Sequence, residues 1–215
     1  MRCLVDDKTN GTSERYNGKF TQFEAQGKTR STHITKHFMT KWAAPNNHDI
    51  PLQFQDTPGI AVPHEITDII KAVEGRLPED GSNVVKPNAP LVVLSCEVDT
   101  ASEECNNIKA IIRHGMDVQK GGVYVVCTKA DKLPFVTRQG LTTRKQRLEF
   151  FQSPKFEREI DIRRAKVAED LGVDMSHVYC VVNYGEDGYL NPVMSLRLVH
   201  VLKSIVTDCY LRFEQ

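Results

Sequence analysis

The chain lacks the features that define several classes of protein. Its 28 basic residues are matched by 28 acidic ones among 215 residues, so it has no positive surplus with which to displace counterions from nucleic-acid phosphates. No uncharged apolar stretch approaches the ~20 residues that span a bilayer. The acidic N-terminal segment also has no apolar centre of the kind a signal peptide needs. We therefore expect a globular cytoplasmic protein with no nucleic-acid partner and no transmembrane segment.

The six cysteines form no CxxC pair, and none has the spacing to histidine that is typical of zinc sites. Three of them, Cys96, Cys127 and Cys180, lie inside apolar runs, where a thiol behaves as a small hydrophobic side chain. We expect reduced core cysteines, as is usual in a reducing compartment.

The chain contains short apolar, β-branched runs, each followed by a helical pattern. The runs cover residues 50–55, 91–96, 123–127 and 178–182. The clearest helical pattern begins near Phe156 and ends at Gly172, and Asn191 with Pro192 starts a last helix. Strands that are apolar on both faces and alternate with helices predict an α/β fold, a mostly parallel sheet with helices on both faces. We expect an irregular N-terminal segment over residues 1–28 and one α/β domain over residues 29–215.

Ligands of such folds bind beyond the carboxyl ends of the strands, so the residues that follow each run carry the functional information. The first run ends at Asp56-Thr57-Pro58-Gly59, which fits the DxxG pattern of a nucleotide switch. A carboxylate at a strand end can hold Mg²⁺ through water, and Gly59 lets a backbone N–H approach a terminal phosphate. The same four residues also fit an ordinary turn, and the sequence leaves both interpretations open.

The third run ends at Thr128-Lys129-Ala130-Asp131, which fits the guanine-reading pattern N/T-K-x-D. A carboxylate can accept two parallel hydrogen bonds from the N1 and N2 donors of guanine, a pattern that adenine lacks. The methylene stem of Lys129 can cover one face of the base while its ammonium group stays in water. The alternative is a loop lysine and aspartate that happen to follow a strand.

The fourth run ends at Asn183-Tyr184-Gly185, where backbone N–H groups of a loop would make a third contact with the base. Because backbone groups make this contact, residue identity says little, and an acidic turn before a helix explains the segment equally well.

The order of these motifs resembles that of the translation-factor-related GTPases of the P-loop NTPase class, and most of all the interferon-induced protein 44 family. The likeness covers roughly Thr29 to the C-terminus and is greatest in the tail, over Ser176–Tyr184 and Asn191–Val193. The resemblance implies a G domain that binds GTP or GDP with Mg²⁺ in an innate-immune or signalling setting.

The resemblance also implies the roles of individual residues. Asp56 and Gly59 would face Mg²⁺ and the terminal phosphate. Thr128, Lys129 and Asp131 would hold the base, with Asn183, Tyr184 and Gly185 beside it.

The sequence departs from this family at the phosphate loop. The motif GxxxxGK followed by Ser or Thr is missing, and Gln26-Gly27-Lys28-Thr29 is the nearest approach, with Gln22 where the first glycine should be. The resemblance instead assigns residues 29–42 to the switch-I segment and second strand, with Ser31 or Thr32 as the magnesium-sensing hydroxyl. The first strand and phosphate loop are then expected upstream of Met1.

Hydrolysis is also expected to be slow. Ile60 follows Gly59, where GTPases often carry a glutamine that orients the attacking water. We interpret His64 as a surface residue rather than a base. The basic residues Arg138, Arg144 and Arg147, with Lys145, are expected in a solvated loop rather than on a docking surface.

Two alternatives to a nucleotide-binding protein or slow GTPase remain. The first is a pseudo-GTPase that uses the same fold as an interaction module with a protein partner and without turnover. The second is an unrelated α/β enzyme in which Asp56, Glu97 and Asp131 form an acidic metal cluster.

Overall fold

The computed structural model describes residues 35–43, 49–56, 65–74, 87–118, 122–182 and 192–213. The chain divides into two compact units, Met1–Pro87 and Asn88–Gln215. We describe each by itself.

The first unit contains an antiparallel pair of strands. Strand β1 (Thr35–Ala43) pairs with β2 (Asp49–Asp56), and the register shifts between Met39 and Trp42, as it does at a β-bulge. Helix α1 (Glu65–Glu74) follows, and its Ile69 and Val73 are buried. The strand predicted over residues 50–55 is confirmed, and the ladder described for it is antiparallel.

The second unit contains a parallel sheet of three strands in the order β3-β4-β5. These are β3 (Leu91–Ser95), β4 (Tyr124–Thr128) and β5 (Val178–Cys180). All three coincide with predicted apolar runs, because β-branched side chains pack well on a pleated surface that is covered by helices. The structure confirms a mixed helix and strand fold with a parallel sheet, as expected for the α/β class.

The described part of the second unit contains five helices. They are α2 (Asn106–Val118), α3 (Pro134–Thr137), α4 (Arg144–Phe151), α5 (Pro154–Leu171) and α6 (Pro192–Phe213). Short 3₁₀ turns cover Glu103–Cys105, Ala130–Lys132 and Met175–His177. Ser153 caps the start of α5 by accepting a hydrogen bond from the N–H of Phe156. Gly172 ends the helix in the left-handed conformation, with φ 70°, as its position in the sequence predicted.

Helices contact both faces of β4, the middle strand of the parallel sheet, while Leu91 and Val93 on one face of β3 are exposed. Successive side chains of a strand point to opposite faces, so Tyr124 and Val125 belong to different faces of β4. The Tyr124 hydroxyl contacts Asp208 on α6. Val125 instead joins the main core cluster, which includes Ile112 of α2 and Val167 of α5.

The basic segment after β4 differs from the expected solvated loop. It contains α3, α4 and the start of α5. A capping box starts α4, since the Thr143 hydroxyl accepts from the N–H of Gln146 and the Gln146 side chain accepts from the N–H of Thr143. Phe151 at the end of α4 is buried and packs edge-on against Phe156, with ring centroids 5.1 Å apart. The charged residues of this segment occupy exposed positions, and its phenylalanines pack in the interior. The sequence does not reveal this packing, because so short a helix has no clear hydrophobic periodicity.

The cysteines of the described residues are free thiols, as expected. Three are buried, Cys96, Cys105 and Cys127. Among the described residues, no helix combines the length and apolar character needed to cross a membrane.

Candidate functional site

The motif Thr128-Lys129-Ala130-Asp131 lies at the carboxyl end of the middle strand. Thr128 is the last residue of β4, opposite Ser95 of β3, and the 3₁₀ turn that contains Asp131 follows at once. The ends of all three parallel strands therefore meet at this edge, the position where α/β sheets bind ligands.

Thr128 links β4 to β3 by two hydrogen bonds. Its hydroxyl donates a hydrogen bond of 3.0 Å to the carbonyl of Leu94, and its own carbonyl accepts one of 2.7 Å from the N–H of Cys96. The side chain of Thr128 thus fixes the start of the turn, which is a positioning role rather than direct contact with a ligand.

Lys129 has a strained backbone. Its φ of 60° and ψ of 35° lie in the left-handed region, and within the described ranges no other non-glycine residue has a positive φ. For an L-residue this conformation costs about 1–2 kcal/mol. The turn is held by hydrogen bonds from the N–H of Ala130 to Val181, at 3.1 Å, and from the N–H of Lys132 to Lys129, at 2.9 Å. Strain retained at the end of a central strand is typical of a functional turn.

Asp131 lies in the first turn of the 3₁₀ segment and is partly buried. No hydrogen bond or ion pair joins its carboxylate to any part of the chain that the structure describes. Lys129, two residues earlier, is exposed. The turn therefore presents a carboxylate with unused acceptor capacity next to a long aliphatic stem.

The other predicted site residues lie in the first unit or outside the described residues. Asp56 ends β2 in the first unit, and its side chain lies outside the described part. Gly59, Thr32 and the segment 183–185 also lie outside the described residues. In the described ranges, no group of three His, Cys, Asp or Glu side chains is arranged to hold a metal ion. The magnesium site and the phosphate end of the site stay predictions.

An open cleft of about 360 Å³ lies beside the turn. It is lined by Cys96, Glu97, Val98, Asp99, Lys132, Leu133, Pro134 and Arg163. Asp131 is not part of this lining.

Two side chains of α5 hold the loop that follows β3. Arg163 donates a hydrogen bond of 2.6 Å to the carbonyl of Val98, and Asp170 accepts one of 2.5 Å from the hydroxyl of Thr100. The hydrogen bond from Thr100, aided by nearby Lys166, lowers the pKa of Asp170. The sequence does not predict these contacts, because the partners are far apart along the chain and no local pattern connects them.

A second polar cluster lies at the opposite end of β4. Tyr124 donates a hydrogen bond of 2.5 Å to Asp208, and Arg212 donates one of 3.2 Å to the same carboxylate. The His177 ring packs at a tilt of 36° against Tyr124, with ring centroids 4.6 Å apart, and its Nε2 accepts from Arg212 at 2.7 Å. The sequence carries no signal for this cluster, since His177 and Tyr124 lie in apolar surroundings and Asp208 reads as a helix surface residue.

Burial opposes ionisation of Asp208, but the hydrogen bonds from Tyr124 and Arg212 outweigh it and lower the pKa of this carboxyl. Burial, and then the hydrogen bond to Asp208, raise the pKa of Tyr124 well above its usual range. A neutral tyrosine bound to an ionised aspartate is therefore the stable state, and it fastens α6 to the sheet.

In comparisons with known proteins, no family model, no curated protein and no solved structure matches this chain.

Proposed function

We propose that the chain binds the guanine base of GTP or GDP through the turn Thr128–Asp131. The observation that carries this proposal is the carboxylate of Asp131, which has no partner among the described residues, beside the strained and exposed Lys129 at the end of the middle parallel strand. Strain in a backbone needs a compensating gain, and ligand binding at this edge provides one.

The chemistry of guanine matches this turn. Its N1–H and N2–H₂ groups are adjacent donors, and one carboxylate can accept from both of them. The stem of Lys129 would lie along a face of the base, with the ammonium group in water. Thr128 would not touch the base, because its hydroxyl is already used by Leu94.

The phosphate end of the nucleotide is assigned from the resemblance. Asp56 and Thr32 would hold Mg²⁺ and Gly59 would approach the terminal phosphate, with the segment 183–185 beside the base. Mg²⁺ would supply charge neutralisation between phosphate oxygens. Because Ile60 replaces the water-orienting glutamine, we propose binding with slow hydrolysis of GTP. The cytoplasmic, innate-immune or signalling setting is proposed from the family resemblance alone.

One observation favours a second candidate function, a pseudo-GTPase that serves as an interaction module. The chain contains no GxxxxGK motif, and backbone N–H groups of that loop with its lysine supply much of the affinity for a triphosphate. In this case the turn at Thr128–Asp131 would be an inherited feature without a ligand.

Nucleotide titrations of the wild-type chain distinguish these functions. Fluorescent GTP, GDP, ATP and XTP are titrated in the presence of Mg²⁺. We expect selective binding of GTP and GDP, and Asp131→Asn should lower their affinity about 100-fold, the loss of one charge-assisted bidentate contact. The same variant should gain affinity for XTP, because xanthine offers a donor at N1 and an acceptor at C2 that match a carboxamide.

Asp117→Asn is the matched control, since Asp117 is an exposed aspartate on α2, away from the turn. It should leave both affinities unchanged. A folded wild-type chain that binds neither GTP nor GDP would support the interaction module. Binding of XTP by Asp131→Asn is a gain of function, so loss of folding cannot produce it.

A further inference from the structure

The segment after β4 concentrates positive charge in a chain that is neutral as a whole. Residues 138–155 contain five of the 28 basic residues but one of the 28 acidic residues. All five basic residues are exposed, and we call them the basic surface: Arg138, Arg144, Lys145, Arg147 and Lys155. The sequence predicted a solvated loop here, whereas the structure shows two helices in this range. A folded segment holds its charges in a fixed arrangement.

Hydrogen bonds bring charges from three helices together. The ammonium group of Lys155, at the start of α5, donates to the side chain of Gln139 at 3.3 Å. Arg147, on α4, donates through Nε to the carbonyl of Leu141 at 3.4 Å. Gln139 and Leu141 are two residues apart, at most about 7 Å along the chain, and Arg138 at the end of α3 directly precedes Gln139. The three cations therefore lie at separations comparable with the Debye length of about 8 Å, so their fields add.

The backbone beneath these charges is held in place. The Oε1 atom of Gln146 accepts from the N–H groups of Thr142, at 3.2 Å, and Thr143, at 3.0 Å, which fixes the connection between α3 and α4. Leu141 packs against the main core cluster from the same connection. A partner that binds here therefore orders little additional backbone, which favours association.

The acidic residue of the segment does not neutralise the basic surface. The carboxylate of Glu149 lies 3.8 Å from the ammonium group of Lys145, and both side chains are exposed. Exposed ion pairs of this kind contribute little, because water and salt screen them. The basic surface therefore keeps a positive excess that a partner can use.

The composition of the segment favours an acidic protein segment over a membrane or duplex DNA. Its leucine and phenylalanine side chains are buried or half-buried, so it offers no apolar face for insertion into a bilayer. The rest of the chain carries an acidic excess, which opposes an extended anionic surface more than a short peptide. The terminal nitrogens of Arg147, whose guanidinium is held through Nε, form a fork that matches the two oxygens of a carboxylate.

We propose that the basic surface binds an acidic segment of a partner protein, whose carboxylates pair with Arg138, Arg147 and Lys155. Exposed charges govern the rate and salt dependence of association more than its strength, so this binding is fast, weak and sensitive to salt. It goes beyond the proposed nucleotide binding and uses none of the residues of the turn Thr128–Asp131. The two proposals therefore stand or fall separately.

The test uses the full chain and a fluorescein-labelled peptide of alternating glutamate and serine, with binding followed by fluorescence anisotropy. We expect binding at about 0.05 M salt that weakens as the salt rises to about 0.2 M, and none by the matched peptide with glutamine in place of glutamate. Arg138→Glu combined with Arg147→Glu should lower the affinity at least about tenfold. This double variant should also bind a lysine–serine peptide more tightly than wild type does, a gain that simple loss of a surface cannot produce.

Arg113→Glu combined with Lys203→Glu is the matched control, because it changes the net charge equally at exposed positions on α2 and α6. It should change both affinities by less than about twofold. Equal effects of the two double variants would overturn the proposal, since net charge alone would then govern binding. Vesicles containing phosphatidylserine and a DNA duplex are titrated in parallel. Tighter binding of either one than of the glutamate peptide, lost in the variant of Arg138 and Arg147, would also overturn it and assign the basic surface to a membrane or to nucleic acid.

Discussion

The hydroxyl of Tyr124 and the carboxylate of Asp208 are joined by a hydrogen bond of 2.5 Å that connects the start of β4 to α6. Tyr124 has no exposed surface, and Asp208 also accepts from Arg212 at 3.2 Å. The sulfur of Cys209 adds a contact of 3.6 Å to the same hydroxyl. The C-terminal helix is thus held to the sheet by a polar contact as well as by apolar burial of Ile205 and Val206.

Removal of this contact should destabilise the second unit. We expect Tyr124→Phe to lower the free energy of unfolding by about 1–2 kcal/mol, because Asp208 keeps Arg212 and some access to water but loses its shortest hydrogen bond. Urea denaturation at pH 7 measures the change. The double variant with Asp208→Asn should cost less than the sum of the single variants. Strict additivity would show that the two groups do not interact in solution.

The same pair predicts a loss of stability in alkali. Burial and the hydrogen bond to Asp208 raise the pKa of Tyr124 in the folded chain above the value of about 10 in the unfolded chain. The unfolded state then releases a proton first, so the contribution of Tyr124 is fully present below about pH 10 and declines as the pH rises above it. Denaturation at pH 8 to 11 should show the advantage of wild type over Tyr124→Phe shrinking toward zero. A difference independent of pH would contradict the assignment.

A contact of the loop after β3 predicts a loss of stability in acid. Thr100 is buried and donates to Asp170, whose pKa is lowered in the folded chain. This contribution is present above about pH 4 and is lost as the pH falls through the folded pKa. We expect Thr100→Val to cost about 1–2 kcal/mol at pH 7 and less at pH 3. Thr137→Val, at an exposed hydroxyl that bonds to the nearby carbonyl of Pro134, should change the free energy of unfolding by no more than about 0.5 kcal/mol at both pH values.

The strands and the long helix of the second unit could be predicted because their signals are local. The run predicted at 91–96 is the strand Leu91–Ser95, and the helix predicted to end at Gly172 does so. Short apolar runs bounded by polar residues, and a glycine that adopts positive φ, need no information from elsewhere in the chain. The position of Thr128–Asp131 at a strand end followed from the same signals.

The contacts that shape the site could not be predicted in this way. Arg163 reaches the carbonyl of Val98 from another helix, and no spacing rule links the two. The left-handed conformation of Lys129 goes against the preference of the residue, and it is accompanied by a tertiary hydrogen bond from the N–H of Ala130 to the carbonyl of Val181, just after β5. The capping box of Thr143 and Gln146 was readable as Thr-x-x-Gln, but the basic composition of the segment favoured a loop.

The backbone strain at Lys129 leads to the last prediction, that stability and binding oppose each other at this residue. Lys129→Gly removes the penalty of the left-handed conformation and adds a smaller entropic cost in the unfolded chain, so the free energy of unfolding should rise by about 0.5–1 kcal/mol. The variant also loses the aliphatic stem over the base, so guanine-nucleotide affinity should fall. Denaturation and nucleotide titration on the same sample measure both effects.

Gly172→Ala provides the reciprocal control. Gly172 has a φ of 70°, and nothing lies within 4 Å of the position where a Cβ would be added, so the substitution changes conformational preference alone. It should lower stability by about 1 kcal/mol without affecting nucleotide affinity. If Lys129→Gly destabilises the chain while Gly172→Ala behaves as expected, Lys129 makes favourable contacts in the folded state, and the turn is an ordinary structural element rather than a strained binding site.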